Sequence, residues 1–270
     1  MKIFILLVAI SVCISCAESR SVKSLKGNAL GTTYSLKYFS DNDITASEID
    51  SILNVINTSM STYMESSDIS KINRGDSSVV VDKHFRFVFE ASKRIYEDTD
   101  GYFDPSVGLL VNAYGFGPEG YSKDITATQM DSLHQYIGFD KINFNSDSTI
   151  SFESATYIDF NAIAKGYTVD VIGDFLATRG ADNYLVEIGG EVIVQGKNLE
   201  TDSNWKIGIE TPLEDGSRDL QYAVQLFDEA LATSGNYRKF REDSISGQKY
   251  VHTINPRTGK SQKTDILSAS

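Results

Sequence analysis

Two different spacings of apolar residues recur along the chain. TASEIDSILNVINTSM, DKHFRFVFEASKRIYEDTDG and TATQMDSLHQYIG carry apolar residues at helical spacing. Each segment opens on a capping residue, namely Thr45, Asp82 and Thr126. Glu48 and Gln129 follow the two threonines by three positions and complete capping boxes. These segments therefore predict three helices.

Segments with the short spacing of β-strands make up much of the remainder. One, LGTTYSLKYF, precedes the first helix, and the others follow Lys141: KINF, TISF, TYIDF, YLVEI, EVIVQ, WKIGIE and YAVQLF. A helix is predicted to begin near Ala162, directly after TYIDF, and a turn at Gly189 and Gly190. Short links between strands indicate antiparallel pairing, and the helices come in groups. The pattern predicts the α+β class.

The amino terminus has the pattern of an export signal. Lys2 precedes an apolar run that is too short to span a bilayer, which predicts a signal peptide over residues 1–15. CISC followed by AES resembles a bacterial lipobox with Cys16 as the lipidated residue, although Cys13 stands where Leu is commoner. We expect a lipidated tether over 16–26, a folded domain over 27–270 and a membrane-anchored lipoprotein facing the periplasm. Plain secretion is the alternative.

Charge and residue counts exclude several classes of function. The net charge of −12 argues against nucleic-acid binding, which needs clustered Lys and Arg. Both cysteines lie in the amino-terminal segment, and three scattered histidines disfavour a zinc site, while a hard cation held by oxygens remains open. The chain contains neither GxxxxGK[ST] nor GxGxxG, which disfavours two common nucleotide-binding folds.

Asp159 and Lys165 are the first candidate pair for chemistry. They lie six positions apart in YIDFNAIAKGYTVD, with the acid at the end of a predicted strand and the lysine in the first turn of the following helix. A structural ion pair would explain both residues. A lysine there opposes the helix dipole, however, and favours a compensating anion, either Asp159 or a bound phosphate.

Histidines and loop aromatics supply further candidates. His252 lies in YVHTINPRTG and is either an ordinary histidine or a catalytic one. His84 and His134 lie in amphipathic helices and are predicted to be structural. The aromatics of AYGFGP, and Tyr63 after the first helix, are either core residues or platforms for a flat ring system.

Taken together, these motifs resemble the ApbE family, the FAD:protein FMN transferases. The resemblance covers Gly27 to Gly259 in order: LGTTYSLKY, MSTYMESSDISKIN, GYFDPSVGLLVNAYGFGP, YIDFNAIAKGYTVD, YLVEIGGEVIVQGKN, WKIGIETP, ALATSGNYRKF and HTINPRTG. It implies a T-fold-like α+β domain with antiparallel sheets flanked by helices and FAD in a cleft between two lobes. It also implies Mg²⁺-dependent transfer of FMN from FAD to a Ser or Thr hydroxyl of an exported flavoprotein, with release of AMP.

The resemblance assigns roles to individual residues. It implies that FAD is contacted by Leu30, Tyr63, Ala113, Tyr114, Gly115, Asp159, Lys165 and Ile254, and that the backbone of Ala162 binds Mg²⁺. We expect His252 to be the general base, because an imidazole suits removal of the acceptor hydroxyl's proton.

The sequence departs from the family pattern in places. Leu30 stands where many relatives carry Met, Asn161 where many carry Gly, and Asn236 and Asn255 where many carry Asp. Relatives continue beyond TDILSAS with a segment that supplies an Asp and a Thr as side-chain Mg²⁺ ligands, so we expect that part to lie beyond residue 270. The alternatives are a Mg²⁺-dependent FAD pyrophosphatase, in which water replaces the acceptor, and an FAD-binding lipoprotein without catalysis.

Overall fold

This computed structural model describes residues 21–119, 126–152, 155–213, 217, 219–236, 240–242, 249–261 and 265–270. The predicted signal peptide 1–15 and Cys16 lie outside the described residues. The first strand begins at Lys23, before the predicted domain start at Gly27, so the folded region includes the end of the predicted tether. In the described part of the chain, no helix is long and apolar enough to cross a membrane.

The predicted capping residues begin three of the helices. The described residues form helices α1 (Ala46–Met60), α2 (Asp68–Asn73), α3 (Lys83–Asp98), α4 (Gly108–Ala113), α5 (Ala127–His134) and α6 (Asn161–Thr178), and a 3-10 turn at Phe139–Lys141. Both predicted capping boxes are present, at Thr45 with Glu48 and at Thr126 with Gln129. Asp82 caps α3 by accepting a hydrogen bond from the Phe85 amide at 2.8 Å. The three helix predictions are confirmed.

The strands are mostly short, and all pairs between them are antiparallel. They are β1 (Lys23–Ala29), β2 (Thr32–Phe39), β3 (Ile142–Phe144), β4 (Ile150–Phe152), β5 (Asn183–Ile188), β6 (Glu191–Gln195), β7 (Trp205–Glu210), β8 (Leu220–Leu226), β9 (Ala230–Leu231), β10 (Ser234–Gly235), β11 (Phe240–Glu242), β12 (Lys249–Val251), β13 (Ile254–Asn255), β14 (Lys260–Ser261) and β15 (Ser268–Ala269). Among the described residues, the largest sheet has the order β1-β2-β5-β6-β9. The α+β prediction is confirmed.

Two large hydrophobic clusters meet along α1 and α6. The sheet core packs the inner face of the largest sheet against these helices and includes Leu36, Ile49, Ile172, Leu176 and Val186. The aromatic core is built mainly from other helices and loops and includes Ile56, Phe85, Phe139, Ile158 and Phe160. Both α1 and α6 contribute residues to both cores. The first turns of α6 pack on the aromatic core through Ile163, Ala164 and Tyr167, and its later turns pack on the sheet core.

The predicted strand TYIDF is wrong. The segment is buried, but within the described ranges it pairs only through an isolated bridge between Tyr157 and Val107. Its backbone groups bond elsewhere: the Asn73 side chain both accepts from the Ile158 amide, at 2.8 Å, and donates to the Ile158 carbonyl, at 2.9 Å. The Asp159 amide donates to the Pro105 carbonyl at 2.8 Å. The short helices α2 and α4 were not predicted.

Candidate functional site

Asp159 lies buried where the chain enters α6, with 9% of its surface exposed. Its Oδ1 accepts a hydrogen bond from the Asn161 amide at 2.7 Å, which places the carboxylate at the amino-terminal end of the helix. Burial raises the pKa of the Asp159 carboxyl, and hydrogen bonds from Asn161 oppose that rise. A buried carboxylate in this position favours a ligand that donates a hydrogen bond or brings a positive charge.

Lys165 does not pair with Asp159. Its ammonium forms an ion pair with Glu191 of β6, with 30% of the Lys165 side chain and 14% of the Glu191 side chain exposed. The structural alternative of an Asp159–Lys165 pair is therefore wrong. Lys165 is the fifth residue of α6, just past the first turn in which it was predicted, and its compensating anion comes from the sheet.

Leu30 lies in the turn between β1 and β2, beside an open hollow of about 350 Å³. Its backbone has a positive φ of 49°, an uncommon conformation for a residue with a side chain. The side chain is partly buried and packs against both the sheet core and the aromatic core. Leu30 thus contacts both cores where they meet, at the edge of the hollow.

The turn between β5 and β6 lies beside the turn that carries Leu30. The Gly189 amide donates to the Thr33 carbonyl at 3.1 Å. A Cβ on Gly189 would lie 2.6 Å from Cγ2 of Thr32, and its φ is +55°, so the position requires glycine. The two turns bring the Leu30 hollow and the Lys165–Glu191 pair to the same end of the sheet.

Tyr63 joins the segment after α1 to the loop after α4. Its hydroxyl donates a hydrogen bond to the Phe116 carbonyl at 3.2 Å. Partial burial, and then the nearby Asp159 carboxylate, raise the pKa of the Tyr63 phenol. The Asn161 side chain donates to the Thr62 hydroxyl at 3.3 Å, so the start of α6 also contacts this segment.

The predicted FAD contacts Ala113, Tyr114 and Gly115 form the end of α4 and the start of its loop. Ala113 is buried, and Gly115 turns the chain with a φ of +76°. The Tyr114 hydroxyl donates to the Gly259 carbonyl at 3.2 Å, and its ring lies 5.5 Å from the ring of Tyr250. These contacts fasten the loop to the carboxyl-terminal part of the described chain.

His252 and Ile254 reach the same loop from that carboxyl-terminal part. The half-buried His252 packs edge-on against Phe116, with ring centroids 6.3 Å apart. Ile254 is 8% exposed and packs with Leu110 of α4, beneath the loop. Contacts therefore run from His252 through Phe116 to Tyr63, and the Asp159 carboxylate is near enough to raise the pKa of the Tyr63 phenol.

The other two histidines bond within the fold. A ring nitrogen of His84 lies 2.7 Å from the Tyr167 hydroxyl, and burial lowers the pKa of His84. Nε2 of His134 lies 2.7 Å from the Pro256 carbonyl oxygen, which secures the turn after His252 against α5. Both contacts agree with the structural roles predicted for these residues.

Ala162, the predicted Mg²⁺ ligand, is exposed in the first turn of α6. Across the described ranges, no three His, Cys, Asp or Glu side chains come close enough to hold a metal ion. Ala162 follows Asp159 by three positions, and its role as a Mg²⁺ ligand stays a prediction. Mg²⁺ commonly takes most of its oxygens from water and substrate phosphates, which suits such a position.

Two residues in the site had no predicted role there, Asn161 and Glu191, and Phe116 was predicted only as a core residue or a platform for a flat ring system. Asn161 and Phe116 lie inside motifs that the sequence singles out, but their partners are far away in the chain. Glu191 follows the Gly189–Gly190 turn directly, and that turn is the only local signal for its placement.

Known proteins resemble this chain over most of its length. The sequence profile described as the ApbE family matches residues 30–270. The FAD:protein FMN transferase of Haemophilus influenzae is 36% identical over 259 residues, covering 91% of this chain and 74% of that protein. The protein of the same name from Vibrio cholerae is 34% identical over 264 residues, covering 94% and 78%.

Solved structures agree with these matches. The flavin transferase ApbE from Vibrio cholerae superposes with a TM-score of 0.79 at 34% identity, covering 92% of this chain and 80% of that one. The apo form of the Pseudomonas stutzeri flavinyl transferase ApbE gives a TM-score of 0.79 at 29% identity, covering 92% and 78%. Sequence and fold lead to one conclusion: the chain belongs to the ApbE family.

Proposed function

We propose that this chain transfers FMN from FAD to a Ser or Thr hydroxyl of a partner flavoprotein and releases AMP. The observation that carries the proposal is the pair of contacts that runs from His252 through Phe116 to Tyr63, which joins the expected base to an expected FAD contact. The names of the relatives from Haemophilus influenzae and Vibrio cholerae support it.

FAD would bind around the first turns of α6. Tyr63 and the Ala113–Gly115 loop lie on one side of this helix start, and the Leu30 hollow lies at the end of the sheet near Lys165. Tyr63, with 62% of its surface exposed, is open to stack on a flat ring system. Lys165 supplies a positive charge for the diphosphate, as expected of a lysine beside a helix amino terminus.

The transfer step moves one proton and exchanges one bond. The acceptor hydroxyl oxygen forms a bond to the phosphorus of the FMN half of FAD. The bond from that phosphorus to the bridging oxygen breaks, and AMP leaves with this oxygen and the bonding electron pair. His252 takes the hydroxyl proton as general base, which requires the neutral imidazole.

We further propose that the reaction depends on Mg²⁺, with the Ala162 carbonyl among its ligands. When bound, Mg²⁺ supplies neutralisation of charge on the diphosphate. Because Mg²⁺ commonly takes oxygen ligands from substrate phosphates, the ion should bind together with FAD. Calorimetric titration should show tight Mg²⁺ binding only in the presence of FAD, and equal Mg²⁺ affinity without FAD would contradict this site.

The location that we propose is the outer face of the cytoplasmic membrane, with a lipid anchor on Cys16. Support comes from the apolar run after Lys2 and the lipobox-like CISC. The acceptors would then be exported flavoproteins with a Ser or Thr flavinylation site, such as subunits of ion-pumping redox complexes or periplasmic reductases. Fatty-acid labelling should mark the wild-type chain and not Cys16→Ser, and labelling of both would rule out this anchor.

One experiment separates the proposed reaction from its two alternatives. The purified chain is incubated with FAD, Mg²⁺ and an exported flavoprotein domain, both as given and extended by the segment expected beyond residue 270, and acceptor mass and AMP are measured together. A mass gain equal to FMN with one AMP per transfer supports the transferase. AMP without labelling of several acceptors favours the pyrophosphatase, and FAD binding without AMP favours a carrier protein.

A further inference from the structure

Lys165 and Glu191 are held together although they belong to different layers of the fold. Lys165 lies on α6, and Glu191 is the first residue of β6. Their ion pair is partly enclosed, with the carboxylate the more buried of the two groups. Partial enclosure excludes some water and makes the contact stronger than an ion pair on an open surface.

The hairpin between β5 and β6 places Glu191 opposite the helix. Ile188 and Glu191 are paired residues on either side of the Gly189–Gly190 turn. Along β6, Ile193 packs on the sheet core, to which α6 also contributes, while Val192 and Val194 face the opposite side. Because side chains alternate along a strand, Glu191 shares the α6 side with Ile193.

The turn itself is constrained, so Glu191 has little freedom to move. The Gly190 amide donates to the Glu187 carboxylate at 2.8 Å, and the Gly189 amide donates to the Thr33 carbonyl. These bonds attach the turn to β5 and β2. The carboxylate of Glu191 therefore starts from a rigid backbone, whereas Lys165 reaches it through a flexible four-carbon chain.

The ion pair leaves the Lys165 ammonium able to bind a second anion. An ammonium has three donors, and Glu191 needs one of them. Without its partner, the lysine would sample many side-chain conformations, and its charge near a helix amino terminus would oppose the helix dipole. With Glu191 in place, the ammonium stays on one side of α6, the side that meets the sheet.

We propose that Glu191 is a positioning residue that acts through Lys165 to hold the ammonium where the diphosphate of FAD binds. This inference rests on the proposed function, because it needs FAD as the ligand. Its physical content is preorganisation: the lysine is ordered before the ligand arrives, so less conformational entropy is lost on binding.

The test is a double-mutant cycle on the dissociation constant of FAD, measured by flavin fluorescence without acceptor. Glu191→Ala should weaken FAD binding about fivefold to tenfold, and Glu191→Gln, which keeps an acceptor oxygen, should weaken it less. In a Lys165→Met background, either change should alter binding less than about twofold. Asp43→Asn, which breaks the exposed Lys23–Asp43 pair, is the matched control and should leave FAD binding unchanged.

Two results would overturn the inference. An equal loss of affinity with and without Lys165 would show that Glu191 acts independently of the lysine. Tighter FAD binding by Glu191→Ala would show that the carboxylate competes with the diphosphate. Should the alanine variant fail to fold, as judged by circular dichroism, the glutamine variant carries the same cycle. A wild-type chain that binds FAD but transfers no FMN would contradict the proposed function. The double-mutant cycle could still be measured, because it needs only FAD binding.

Discussion

The hydroxyl of Tyr63 donates a hydrogen bond to the backbone carbonyl of Phe116 at 3.2 Å, across 53 positions of sequence. This bond joins the segment after α1 to the loop after α4. Phe116 in turn packs against the ring of His252. The expected base and an expected FAD contact are thus joined through one residue of the loop.

Tyr63→Phe should weaken FAD binding by about fivefold, because one hydrogen bond that orders the loop is lost while the aromatic ring remains. Thermal stability should change little, since the side chain is largely exposed. The measurement is flavin fluorescence titration alongside thermal unfolding. Tyr222→Phe, on β8 and also about half exposed, is the control and should match wild type in both.

Asp159→Asn should stabilise the ligand-free chain at pH 7 and weaken FAD binding. Burial raises the folded-state pKa of Asp159 above its unfolded value. Below the unfolded-state pKa, about 3.9, the Asp159 carboxyl is protonated in both states and does not lower the free energy of unfolding. As the pH rises through the folded-state pKa, the buried charge lowers the free energy of unfolding more and more. The variant's Tm should exceed that of wild type by a few degrees at pH 7 and by less at pH 4.

Asp147→Asn provides the opposite case for comparison. Hydrogen bonds from Thr149 hold the pKa of Asp147 below its usual value, so its carboxylate is favoured in the folded state. This substitution should not raise Tm at pH 7. An Asp159→Asn variant with the same Tm gap over wild type at both pH values would show that burial of charge is not the cause.

His252→Ala should abolish FMN transfer and retain FAD binding, because the imidazole is proposed to act on the acceptor's proton. Acceptor mass after a fixed incubation measures transfer. His84→Asn, which can keep a hydrogen bond to the Tyr167 hydroxyl, should transfer at the wild-type rate. Equal rates for wild type and His252→Ala would remove His252 from the reaction.

Gly189→Ala should lower the free energy of unfolding, and Gly166→Ala should raise it. The first introduces a Cβ 2.6 Å from Thr32 at a positive φ and should cost about 1–3 kcal/mol. The second adds a Cβ in open space on α6 and should raise the free energy of unfolding by about 0.5–1 kcal/mol. Urea unfolding of both variants checks the pair. A harmless alanine at position 189 would show that the turn adjusts without strain.

Local signals in the sequence predicted the helix starts well. A capping box such as Thr45 with Glu48 involves residues three apart, so all of its hydrogen bonds lie within one short segment. The six-residue helices α2 and α4 carry too few turns for periodicity to appear. TYIDF is as buried as a central strand, but Asn73 and Pro105 supply its hydrogen-bond partners. The sequence of the segment itself does not predict these partners.

The site was predictable as a set of motifs and not as a set of contacts. Resemblance to the family assigned Asp159 and Lys165 together, and local electrostatics suggested that either Asp159 or a bound phosphate compensates the charge of Lys165. The partner of Lys165 is instead Glu191, 26 positions away, and only the packing of β6 on α6 brings the two together. Non-local ion pairs of this kind depend on sheet order, which short segments do not encode.

Helices α1 and α6 each contribute to both the sheet core and the aromatic core, and this sharing has a consequence for cooperativity. Neither half of the domain can lose its packing without exposing apolar surface of the other half. Unfolding should therefore be a single transition, and amide protons in the buried part of α6, from Thr168 to Leu176, should exchange with solvent only through global opening. The proposed FAD-binding residues around α6 should then lose their arrangement only when the whole domain unfolds.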